Sequence, residues 1–135
     1  MNNEAQQYHR EMANTILTQL GGMMALKLIG GRPASGESNG NKNSVVPVGN
    51  AGDTVVDVKF EGEAKEIDGV RPNVVRIIYC LSSDTYRFIL FRATGNMARV
   101  LFDLSDVYCD MLQDMFEEKT GLFLYLRNKD KVNFS

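Results

Sequence analysis

The chain holds one histidine, His9, and two cysteines, Cys80 and Cys109. No zinc set of the usual Cys/His kind can be assembled from so few ligands, and no CxxC pair is present. The cysteines read as two small buried thiols of a cytosolic protein rather than as a disulfide. No charged-then-apolar secretory segment opens the chain, and no apolar run approaches the ~18 residues of a membrane span. The expectation is a cytoplasmic protein with no membrane partner. A net charge of −2 gives no overall attraction to nucleic acid or anionic lipid. No histidine accompanies a plausible nucleophile, and no cofactor loop or metal set appears, so neither catalysis, cofactor nor metal is expected. The nearest approach is GxxxxG at Gly31–Gly36, but Glu37 stands where a phosphate loop needs lysine.

What remains is ordinary globular material: 135 residues, 44% hydrophobic and 24% charged. That length suits one domain, expected over residues 1–126, with a polar tail at 127–135. The charge is unevenly spread. Between Arg71 and Arg99 lie five arginines and one acid, whereas Asp103 to Glu118 holds six acids and no base.

Periodicity predicts an α+β fold: an N-terminal helix, an antiparallel sheet of about five strands and a C-terminal acidic amphipathic helix. The first helix spans about Asn3 to Leu20, with Tyr8, Met12, Ile16 and Leu20 as its apolar stripe, and Gly21-Gly22 ends it. His9 lies beside that stripe and reads as a surface or satisfied histidine. Met23 to Ile29, bounded by glycines, reads as a strand. Residues 30–52, rich in Gly, Ser and Asn, read as one long mobile loop. Thr54–Glu61, Asn73–Leu81, Thr85–Arg92 and Met97–Phe102 read as strands, with a hairpin at Ser82-Ser83-Asp84. The last helix is expected to start at an N-cap on Ser105, bury Val107, Met111, Leu112, Met115 and Phe116, and stop at Gly121. Phe123 to Leu126 reads as a short strand or a segment packed on the sheet.

Two candidate surfaces follow. Asp106, Asp110, Asp114, Glu117 and Glu118 recur at helical spacing, either as a solvated face or as a negative strip offered to a basic partner. Arg76, Arg87 and Arg99 are expected on one sheet face with Ile78, Ile89, Leu101 and Phe91. That face, apolar and basic together, calls for a cover: the second helix, the long loop, a second copy or a partner. Its arginines either lay their stems over apolar sheet or bind phosphates, with Phe91 stacking on a base of single-stranded nucleic acid.

Thr15-Ile16-Leu17-Thr18-Gln19-Leu20-Gly21-Gly22, then Asp84-Thr85-Tyr86, then Val107-Tyr108-Cys109-Asp110-Met111-Leu112, Phe116-Glu117 and Thr120-Gly121-Leu122 follow one another in this order. The order resembles a group of small proteins encoded by bacteriophages and prophages, which share a TILxQLGG start and a YxDML…FE…TGL end. The chain departs from that group at Met23-Met24-Ala25-Leu26 and in the long loop. The resemblance implies a phage or mobile-element origin and brings no catalytic residue. The expected function is therefore that of a non-enzymatic accessory protein, a host-directed inhibitor for example. It would act through contact with a protein of the bacterial host and as a homodimer through the apolar-basic sheet face. The alternative is a single-stranded nucleic-acid-binding module.

Overall fold

The computed structural model describes residues 3–124. The expected tail at 127–135, and Tyr125 and Leu126, lie outside the described residues. The α+β architecture is the expected one. Helix α1 (Asn3–Leu20) and helix α2 (Gly22–Ile29) precede strands β1 (Arg32–Glu37), β2 (Thr54–Lys59), β3 (Val74–Cys80), β4 (Thr85–Thr94) and β5 (Met97–Val107). A 3-10 turn (Cys109–Met111) then leads into α3 (Leu112–Thr120). The strands form one antiparallel meander in the order β1-β2-β3-β4-β5. No helix among the described residues is long and apolar enough to cross a membrane.

The helices cover one face. Ile16 and Leu20 of α1, Leu26 of α2, and Leu112 and Phe116 of α3 meet Val56, Val58, Ile77, Phe88 and Leu90 of the sheet in the main core. The inward row of α1 is His9, Ala13, Ile16 and Leu20, not Tyr8-Met12-Ile16-Leu20, and Tyr8 is exposed. At 3.6 residues per turn a strict repeat of four drifts around the helix, whereas steps of four, three and four stay on one side.

Three expected elements differ. Met23–Ile29 is helix, not strand, because Met, Ala, Leu and Lys are good helix formers and the run has no β-branched residue before Ile29. Its flanking glycines make the corners. Gly21 has φ 124°, and any Cβ there would sit 2.7 Å from that of Ala25. Gly30 closes α2 in the left-handed conformation, and the Gly31 N–H donates to Leu26 O at 2.7 Å.

The segment 30–52 is not one long loop. Its start is β1, whose six residues are all exposed, so no alternation marks it in the sequence. Pro33 suits such an edge strand, having no N–H to pair. The rest is tied at its neck by Ser38 N–H to Asp53 O and Gly52 N–H to Ser38 O. The Asp53 carboxylate accepts from the Asn50 and Leu81 amides. Val46 of this loop is buried against Val74, Ile78, Ile89 and Phe91 in a second apolar cluster. The loop thus covers the middle of the second sheet face.

The last helix begins at Leu112 rather than after Ser105, because β5 continues to Val107. Pairs Phe88↔Leu104 and Tyr86↔Val107 leave Ser105 and Asp106 opposite the single residue Arg87. This is a β-bulge, with Asp106 left-handed at φ 59°. Val107 is buried from the strand, Met111 is exposed, and the Gly121 stop holds, its N–H donating to Glu117 O. Leu124 packs into the core. Cys80 is half-buried and Cys109 exposed, both as free thiols, so the expectation of two buried thiols fails at Cys109.

At the β3–β4 hairpin, the Tyr79 hydroxyl donates to Asp84 Oδ1 at 2.6 Å. This bond, with burial and the Asp84 charge behind it, pushes the phenol up to about 12. The unfolded phenol ionises near 10. The stabilisation is therefore complete below pH ~10 and is lost as pH rises from there through about 12. A phenolate absorbance titration should contain a transition near 12 that Tyr79→Phe removes. Loss of a transition near the ordinary phenol value of about 10 instead would refute the bond.

Candidate protein-binding surface

Helix α2 sends Ala25, Leu26 and Ile29 inward and leaves Met23, Met24 and Leu28 at 72%, 64% and 42% exposure. A helix apolar on both sides is normally covered on both. Two open hollows flank the adjoining start of β1. One, of about 480 Å³ on the helix side, is lined by Met23, Leu26, Lys27, Arg32 and Pro33. The other, of about 470 Å³ on the second sheet face, is lined by Arg32, Pro33, Lys59, Val74, Arg76 and Phe91. Arg32 and Pro33 belong to both, so one surface of apolar floor and cationic rim wraps this corner.

The rim charges differ in availability. Arg76 is bound to Asp57 through two hydrogen bonds of 2.7 and 2.9 Å. Arg32 lies 3.8 Å from Glu61 with both side chains exposed, a pair of little strength. Lys27 and Lys59 are exposed and have no ion pair among the described residues. Such a corner can bury apolar side chains and receive carboxylates. The signal was present in the sequence as an apolar run with no polar side, between glycines.

Of the expected phosphate-binding face, Arg76, Arg87 and Phe91 do share the second sheet face, whereas Arg99 does not, and both of the arginines that remain there are paired with carboxylates. Arg87 is held by Asp103 at 2.8 and 2.6 Å, and that bond keeps its guanidinium more firmly protonated than usual. Leu101 is an extra residue between the pairs Leu90↔Phe102 and Phe91↔Val100. This bulge sends Ala98 and Val100 to the second face and puts Arg99 on the other, directly across from Arg92. Phe91 is only 5% exposed, and the Arg76 guanidinium lies 5.5 Å from its ring centre.

The acidic group also divides. Asp106 sits at the bulge, Asp110 in the 3-10 turn, and Asp114 and Glu118 on α3, all exposed. Glu117 is buried and accepts the Leu124 N–H at 2.9 Å, so it leaves the strip. Leu104, Tyr108 and Met111 are exposed among these acids. Among the described residues, no three or more His, Cys, Asp or Glu are grouped to hold a metal ion.

His9 is the satisfied histidine of the two readings. Its Nδ1 is 2.6 Å from Thr54 Oγ1, and its Nε2 is 3.4 Å from Glu37 Oε1. Glu37 and Thr54 are register partners of β1 and β2. When Thr54 donates to Nδ1, the Nε2–H faces the carboxylate, so the tautomer is set by its neighbours. A hydroxyl, an imidazole and a carboxylate in line is a nucleophile-activating order. Thr54, however, is 0% exposed, and no substrate reaches its oxygen. The trio fastens α1 to the edge of the sheet.

No protein-family model matches the chain, and no curated protein or solved structure matches it.

Thr54→Val deprives the buried imidazole of its partner and should lower unfolding free energy in urea by about 1–3 kcal/mol. Adding His9→Leu removes the orphaned group and should recover most of that loss. A double variant less stable than Thr54→Val would contradict the account.

Proposed function

We propose that this chain is a non-enzymatic accessory protein of a bacteriophage or mobile element, acting through protein–protein contact at the corner formed by α2 and the start of β1. The observation that carries the reading is the exposure of Met23, Met24 and Leu28 on one short helix beside two open hollows. Contiguous exposed apolar surface of this kind marks an interaction site. The cationic rim adds a preference for partners that bring carboxylates.

The phage-like motif residues lend further support, because they build the frame and not the corner. Gln113 Nε2 donates to Leu20 O at 3.2 Å, and the Tyr86 hydroxyl donates to Gln19 Oε1 at 2.8 Å. Thr120 Oγ1 donates to Phe116 O and accepts from the Leu122 N–H. The start motif is thus bonded to Tyr86 of the middle motif and to Gln113 beside the end motif, and its Ile16 and Leu20 share the core with Leu112 and Phe116 of the end motif. The departure from the group falls on Met23-Met24-Ala25-Leu26, on the exposed helix itself. A shared frame with a distinct contact surface is what an adaptor or inhibitor of a particular host protein needs.

The test is capture from bacterial host lysate by wild type and by a Met23→Ser/Met24→Ser/Leu28→Ser variant. Substitutions at such exposed positions should leave stability within about 0.5 kcal/mol each. The reading expects one dominant protein, retained after nuclease treatment and reduced at least about tenfold by the triple variant. Capture unchanged by the variant, or abolished by nuclease, would overturn it.

A further inference from the structure

We infer that the corner also receives a second copy of this chain, through the acidic and apolar segment running from Leu104 to Asp114. The inference rests on the reading of the corner as a protein-binding surface and names one occupant for it. Two surfaces of the same molecule are complementary in charge and alike in carrying exposed apolar groups. The corner offers Lys27, Arg32 and Lys59 around Met23 and Pro33. Its carboxylates are Asp57, consumed by Arg76, and Glu61, loosely beside Arg32. The acidic segment offers Asp106, Asp110 and Asp114 around Leu104, Tyr108 and Met111. Its cations are spoken for, with Arg87 on Asp103, and Lys119 beside Glu118 and over the Phe102 ring.

The two surfaces are not joined within one molecule: Lys27 and Lys59 have no ion pair among the described residues, and Arg32 is paired with Glu61. The row Arg32↔Lys59↔Val74↔Phe91 crosses one end of the sheet, beginning at the β1 edge. The acidic segment leaves the β5 edge at the opposite end, past the pair Tyr86↔Val107. The β5 end of the segment therefore lies at the diagonally opposite corner of the sheet, while its α3 end lies near the start of α2, where Gln113 donates to Leu20 O. Contact between these unlike patches is heterologous and repeats from copy to copy wherever it does not close on a two-fold axis. The edges themselves oppose strand-to-strand pairing, with Pro33 on one and two bulges on the other. Side chains, not backbone ladders, make the joint.

Sedimentation velocity of the full chain tests this with two charge-reversed variants, Arg32→Glu/Lys59→Glu and Asp110→Lys/Asp114→Lys. Wild type should give a series of species that grows with concentration and shrinks as salt rises from about 0.02 to about 0.5 M, where charges are screened over a few ångströms. Each variant alone should remain a monomer. Their equimolar mixture should associate again, because the retained native surfaces are opposite in charge and the two reversed surfaces are opposite in charge as well. Thermal melts matched to wild type exclude misfolding, and Arg32→Gln/Lys59→Gln replaces the first variant if its melt shifts. A wild-type monomer at all concentrations, a salt-independent dimer, or a mixture that stays monomeric would overturn the inference. A monomeric wild type whose host-protein capture is lost in the Met23/Met24/Leu28 variant would end this inference alone. The reading of the corner would then stand.

Discussion

The fold depends on Arg76. The sheet is apolar on both faces, and only one is covered by helices, so the other must be closed from elsewhere. Arg76 projects from the middle strand onto that second face. It takes both oxygens of Asp57 on β2, donates to the carbonyls of Val46 and Pro47, and lies over the Phe91 ring of β4. One side chain thus joins three strands and the loop. A half-buried guanidinium needs that many partners, since each unfilled donor away from water costs free energy. Its bonds to two successive loop carbonyls hold Val46 down as the plug of the second cluster.

That arrangement explains why the surface left open is at the β1 corner. The loop reaches across Val74, Ile78, Ile89 and Phe91 but leaves the row at Arg32 and Lys59 uncovered. On the helix side, α2 turns only three residues inward before Gly30 stops it. The outer side of α2 and the uncovered end of the sheet meet across Arg32 and Pro33. His9, bonded between Thr54 and Glu37, fastens the strand that separates them. The rigid frame and the open corner come from the same few contacts.

Much of the frame was legible in the residues. Alternation marks β2 without ambiguity, the glycine stop after α3 is where expected, and the sheet has the expected five strands. The misses have physical reasons. β1 shows no alternation because neither of its sides is buried, so burial never selected one. The acidic stretch suits a helix locally, but pairing with β4 holds it in the sheet as far as Val107. Bulges add single residues that no periodic reading anticipates, and one of them carries Arg99 to the opposite face from Arg76 and Arg87. Of the candidate site, α2 was legible as an apolar run but was assigned to the wrong element. The pairing of Arg76 and Arg87 with Asp57 and Asp103 depends on strand register, which composition does not contain.

Hydroxyl-radical footprinting of the dilute protein tests the central claim most directly, comparing like side chains with like. A second face closed by Arg76 and Val46 predicts that Phe91 is labelled far more slowly than the exposed Phe123. An open corner predicts that Met23 and Met24 oxidise faster than Met12, which packs against the core. Phe91 labelled as fast as Phe123, or Met23 and Met24 protected to the level of Met12, would contradict it.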